Sequence, residues 1–136
     1  MAIIAISTRT RDGILVECTA DPSREICGLL LGNPTRIVEA RATANVAVNP
    51  AVRFEIDPAA LLAAHRQARA GGPAVIGCYH SHPTGRAEPS PRDAADAAPD
   101  GAVWLIAAGS VVTAWRAVPD GALYGRFDPM ALHCDA

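Results

Sequence analysis

Hydrophobic and polar positions along the chain follow two periods. Ile3 to Ile6 is a short apolar run and reads as a first strand. Ser7 or Thr8 can cap a helix to about Thr19, with Ile14, Leu15 and Cys18 on its buried stripe. Gly13 weakens that helix. Asp21-Pro22-Ser23 is a turn, and Glu25 to Leu31 is an apolar strand closed by Gly32-Asn33-Pro34. Ile37 to Val46 alternates as its partner. Asp57-Pro58 starts a helix through Leu61, Leu62 and His65 to about Ala70, ended by Gly71-Gly72-Pro73. Ala74 to His80 is a buried strand, followed by a polar, Pro-rich loop from Pro83 to Pro89. Ser90-Pro91 opens a short helix to about Ala98. Val103 to Ala108, Val111 to Val118 and Ala122 to Phe127 are three strands joined by tight turns. The expected fold is a single α/β domain with a mixed, curved sheet and about three helices. It spans residues 1–128, and residues 129–136 are expected to form a C-terminal tail, frayed or serving as a docking segment.

Composition narrows the function classes. With 136 residues the chain suits one domain and is too short for a barrel enzyme of roughly 250 residues. A net charge of -2 points to neither nucleic acid nor a membrane surface as partner. No apolar run reaches the roughly 20 residues of a membrane span, and the first residues lack a basic leader, so a cytoplasmic location is expected. Cys18, Cys27, Cys78 and Cys134 show no C-x-x-C spacing and are expected to be reduced. All twelve basic residues are Arg, which fits the codon bias of a GC-rich genome.

His80-Ser81-His82 carries the first chemical signal. Residues two apart on a strand share a face, so both imidazoles can reach one metal ion. A catalytic zinc takes three protein ligands and leaves one position open. Asp93, in Ser90-Pro91-Arg92-Asp93, is the best third ligand, although the same segment also reads as a capping box. A zinc hydrolase also needs a carboxylate to move protons. Glu25, at the mouth of its apolar strand, is the candidate, and spacing alone leaves Glu55, Glu88 and Asp96 open. Exposed His65 and tail residue His133 are assigned no role.

These residues resemble the signature of the JAMM (MPN-plus) zinc metalloproteases: an upstream Glu, His-Ser/Thr-His, seven residues, Ser, two residues, Asp. Pro22 to Gly32, Arg53 to Pro58 and Gly77 to Pro83 are similar to further family segments, and the resemblance covers about residues 2–125. It implies an MPN domain similar to the cytidine-deaminase fold. It implies one zinc ion per chain on His80, His82 and Asp93, with Glu25 as general base and then acid and Ser90 as oxyanion donor. Ser81 should point to the other face and is given no chemistry. Family members cleave amide or isopeptide bonds at the Gly-Gly tail of ubiquitin-like β-grasp proteins. The short chain looks like the stand-alone prokaryotic branch, which acts on sulfur-carrier or ubiquitin-like proteins. The other readings are a small-molecule zinc amidase on the same fold and a non-catalytic MPN scaffold. A homodimer is compatible with the class.

Overall fold

Ser7 does two jobs at the start of the chain: it ends a strand and caps a helix, its side chain accepting the Thr10 N–H at 3.1 Å. The computed structural model describes residues 1–136. The elements are β1 (Ile3–Ser7), α1 (Thr8–Ala20), β2 (Cys27–Asn33), β3 (Arg36–Thr43), α2 (Pro58–Arg69), β4 (Ala74–Ser81), α3 (Pro91–Asp96), β5 (Val103–Ala108), β6 (Val111–Gly121) and β7 (Gly125–Asp135). The strand order is β1-β3-β2-β4-β5-β6-β7, and β7 returns to β1, so the curved mixed sheet closes into a barrel. The β1–β3, β1–β7 and β4–β5 pairs are parallel and the others antiparallel. No helix is long and apolar enough to cross a membrane.

Strand alternation sorts the side chains into two layers. Ile4, Ile6, Leu30, Ile37, Tyr79, Leu105, Ala114 and Met130 form one cluster to which all seven strands contribute, and Ile14 of α1 joins it. Leu29 and Leu31 face the other way, against Ala64 of α2. Trp104, Ala117 and Phe127 pack with Ala97 just after α3. Close backbone approach explains two glycines. A Cβ on Gly28 would run into the Tyr79 ring, and one on Gly77 would meet the Val103 backbone across the β4–β5 pair.

The end of the chain corrects the sequence reading. The expected strand over Ala122 to Phe127 begins instead at Gly125, and residues 129–135 belong to the barrel as part of β7. The cause is the far edge of β1. That strand meets β3 at a single register position, Ala5 opposite Arg36, but pairs β7 continuously from Ile3–Ala131 to Ser7–Asp135. Without β7, β1 would present an almost unpaired edge. Met130 is buried, Leu132 and Cys134 pack against the core, and Arg36 holds Asp135 through two hydrogen bonds of 2.7 and 3.0 Å. Smaller shifts follow the ladder. β2 begins at Cys27 rather than Glu25, β3 ends at Thr43 rather than Val46, and α3 stops at Asp96.

Deleting residues 129–136 is therefore expected to destabilise the protein by at least about 3 kcal/mol, since truncating one buried Met side chain alone costs about 2–5 kcal/mol. The thermal midpoint should fall by about 10 °C. An unchanged melting curve would contradict the β1–β7 pairing.

Candidate metal centre

β4 delivers two histidines to one face at its end. His80 is its penultimate residue, and the His82 N–H donates to the Ala107 carbonyl at 2.8 Å, which carries the β4–β5 pairing one step further. His80 is completely buried, its ring stacked on Phe54 (centroids 4.2 Å apart, 17° between planes) and edge-on to Trp104. The third group comes from α3. Ser90 caps that helix by accepting the Asp93 N–H at 3.1 Å, and Asp93 Oδ2 accepts the Ser90 N–H at 2.9 Å. The cap and the ligand reading of Asp93 are thus compatible, because one carboxylate oxygen serves the helix end and faces the histidines at once.

The three donor atoms form an equilateral triangle. His80 Nε2, His82 Nε2 and Asp93 Oδ2 are each 3.1 Å from the other two. A tetrahedral ion with bonds of 2.0–2.1 Å separates its ligand atoms by about 3.3 Å, so these side chains already have nearly the required spacing. The tautomer of His82 fits as well. Its Nδ1 lies 2.8 Å from the Arg86 carbonyl, which can only accept, so Nδ1 carries the proton and Nε2 keeps a lone pair. Lone pairs converging in a buried site repel one another unless a cation or proton sits among them. The residues fit a metal ion on that ground, and the group is a candidate metal site.

The titration behaviour of the group follows from burial and from these contacts. Burial holds His80 below its ordinary value. Burial would also lower His82, but its bonds to Asp93 and the Arg86 carbonyl outweigh that and raise it. For Asp93 burial acts upward, and the two histidines with the Ser90 N–H overcome it, leaving the carboxyl well below the usual range.

Glu25 reaches the same place through strand register. Cys27 lies opposite His80 in the antiparallel β2–β4 ladder, so two residues further back Glu25 comes level with His82. Ser81 maintains this alignment beyond β2. Its N–H donates to the Ile26 carbonyl at 3.0 Å and its Oγ accepts the Ile26 N–H at 2.9 Å. Glu25 is 6% exposed, and its Oε1 is buried with no hydrogen-bond partner. Burial, and then the negative charge of Asp93, push its carboxyl up to about 7. The competing carboxylates are engaged or exposed. Asp96 pairs with Arg53 at 3.0 Å, Glu88 with Arg86 at 3.4 Å, and Glu55 is exposed.

The structure therefore brings together His80, His82 and Asp93, with Glu25 and Ser90 beside them. Reading the sequence missed the residues that support them: Phe54 against His80, the Arg86 carbonyl on His82, and the Ser81 clamp. The Arg53-Phe54 pair was visible as a segment, but nothing in its spacing assigned it to His80. A cavity of about 530 Å³ runs along the first half of β4 between α2 and the loop after α3. It touches Trp104 and Cys78 but none of the three convergent side chains.

Comparison with known proteins identifies the family. Residues 7–118 match the family described as prokaryotic homologs of the JAB domain. The chain is 32% identical over 109 residues to a Haloferax volcanii protein named desampylase, covering 76% of this chain and 78% of that protein. It is 43% identical over 53 residues to a Thermus thermophilus protein named a probable TtuB-protein conjugate cleaving protease, covering 39% of this chain and 36% of that one. Its fold resembles the crystal structure of a JAB1/MPN domain protein from Archaeoglobus fulgidus (TM-score 0.60, 17% identity, covering 97% of this chain and 99% of that one). The chain belongs to the prokaryotic JAB family of hydrolytic enzymes.

Proposed function

We propose that this chain binds one zinc ion through His80, His82 and Asp93 and hydrolyses an amide or isopeptide bond at the C-terminal Gly-Gly tail of a ubiquitin-like β-grasp protein. The observation that carries the reading is the 3.1 Å triangle of donor atoms beside a buried carboxylate that has no partner. The names of the relatives, a desampylase and a conjugate-cleaving protease, support a protein conjugate as the substrate. Gly-Gly suits the chemistry, because residues without side chains can bring their backbone close to a recessed site.

Zinc held here would supply Lewis acidity to the scissile carbonyl and to the attacking water. The chain's own groups do the rest. Glu25, level with His82, takes a proton from the water and returns it to the departing amine. A carboxyl raised by burial is a stronger base than an exposed one once ionised, and a cation beside it favours the ionised form. Ser90 uses its Oγ lone pair for the helix cap, so its hydroxyl proton is free to donate to the carbonyl oxygen as that atom gains charge. The Arg86 carbonyl and the Phe54 ring keep the two imidazoles in orientation.

The test is to mix the purified protein with β-grasp proteins whose Gly-Gly terminus is extended by cysteine or joined to a lysine side chain, and to weigh the products. The expected result is about one zinc per chain and a carrier mass ending at Gly-Gly. Absence of zinc together with intact substrates would refute the reading. Ser90→Ala should lower kcat by about 10²- to 10³-fold as the loss of an oxyanion donor. The loss of the cap should cost about 1 kcal/mol in thermal unfolding. Full activity in that variant would reduce Ser90 to a cap alone.

A further inference from the structure

The carboxylate of Glu25 raises a question of placement. Its Oε1 is buried without a partner, so that oxygen has no hydrogen bond to hold it. Its position must be inherited from the main chain, and Glu25 lies outside β2, where no regular ladder holds it. The backbone contacts there are specific. The Glu25 N–H donates to the Pro50 carbonyl at 2.7 Å, and the Glu25 carbonyl accepts from Asn45 Nδ2 at 2.8 Å.

Asn45 uses its whole hydrogen-bonding capacity at this point. Nδ2 donates to the carbonyls of Glu25 and Arg53 (2.8 and 3.0 Å), and Oδ1 accepts the N–H groups of Ala47 and Glu55 (3.0 and 3.1 Å). The orientation of the amide is unambiguous, because two acceptors face one end and two donors the other. No other short side chain supplies this pattern. Aspartate would set an oxygen against two carbonyls, and alanine would leave all four backbone groups to find other partners. The same amide organises the segment that covers the metal centre. Asn45 bridges to Ile56, Val46 donates to the Glu55 carbonyl, Arg53 pairs with Asp96 of α3, and Phe54 stacks on His80.

We propose that Asn45 is a positioning residue that, beside the Ser81 clamp on Ile26, holds Glu25 level with His82, acting through the Glu25 main chain and touching neither substrate nor metal. The inference rests on the reading of Glu25 as the proton-transferring group. It predicts that Asn45 matters to the rate only while Glu25 is present to be positioned. Misplacing a catalytic group by about 1 Å can cost on the order of 100-fold in rate.

The experiment is a double-mutant cycle on the zinc-loaded full chain, with a Gly-Gly–lysine conjugate of a β-grasp protein as probe. Asn45→Asp, and Asn45→Ser as the milder variant, are each made alone and together with Glu25→Gln. The expected result is a fall in kcat of about 10- to 100-fold for Asn45→Asp, with KM within about twofold and one zinc retained. The same change should produce no further loss in the slow residual rate of Glu25→Gln. In metal-free protein, the Glu25 amide should exchange with solvent faster in both Asn45 variants, while the amides of Leu29 to Leu31 stay protected. An equal fractional loss in the Glu25→Gln background would overturn the proposal, since Asn45 would then act on metal, substrate or fold. Unchanged kcat, or an unchanged Glu25 amide, would overturn it too. Full activity of Glu25→Gln alone would overturn the reading of Glu25 and this proposal with it, whereas the preceding outcomes overturn the proposal alone.

Discussion

Glu25→Gln is expected to lower kcat by about 10³- to 10⁴-fold while each chain keeps its zinc, because proton transfer to and from the reacting groups is removed and the three ligands are untouched. Gln is isosteric, so the loss should appear in kcat with little change in substrate affinity. Zinc content measured beside the rate separates this result from simple metal loss. Retained turnover would mean another group moves the proton. The same variant exposes the cost of burying the carboxylate. In metal-free protein the folded value of about 7 lies above the ordinary 4.5. Between these values the folded state holds the proton more often than the unfolded state, so rising pH removes stability over that window. The full cost, about 3 kcal/mol, is present above pH 7 and absent below pH 4.5. Burial lowers His80 and its partners raise His82, so both contribute their own pH dependence, and the useful quantity is the difference between wild type and Glu25→Gln. Metal-free Glu25→Gln should be increasingly the more stable of the two as pH rises from 4.5 to 7. A difference that does not vary with pH would contradict the raised value.

Asp93→Asn should have the second large effect, on metal affinity rather than on the helix. Asn can still accept the Ser90 N–H, so the α3 cap survives in large part. The anionic ligand is lost, and the neutral amide oxygen left between the Ser90 N–H and the histidines is a weaker donor to a cation. Zinc affinity should fall by more than 100-fold, beyond the 10- to 100-fold typical of residues that only support a ligand. Activity at limiting zinc should vanish with it. Competition with a chelator measures this directly, and thermal unfolding of the metal-free variant should stay within about 1 kcal/mol of wild type. Unchanged zinc affinity would leave Asp93 as a cap only.

The pair of predictions also explains how much of the site could be seen along the chain. His80 and His82 were legible because strand alternation is a local property: two residues apart means one face. Asp93 was ambiguous locally, since Ser-Pro-x-Asp describes a capping box equally well, and the structure gives that carboxylate both partners at once. Glu25 was the least legible. Its distance from the histidines along the chain carries no information, and only the β2–β4 register, with Cys27 opposite His80, brings it level with His82. Asn45 and Phe54 had no visible role, because each acts on a residue that folding alone makes its neighbour.

Local pattern was sufficient for α1 through β6 to within a few residues, since caps, Gly-Pro breaks and apolar periods act over one or two turns. It was insufficient for β7. Met130, Leu132 and Cys134 alternate as a strand should, yet the segment is short, terminal and flanked by charge, so fraying was the natural expectation. The edge of β1 away from β3 reversed that, because β3 pairs with β1 at one position only on the other side and the backbone groups of β1 need partners. Sheet closure and the convergence of Glu25, Asn45 and Phe54 on the histidines share one physical origin. Both depend on which strand edges meet, and pairing between segments far apart in sequence is decided only when the whole barrel closes.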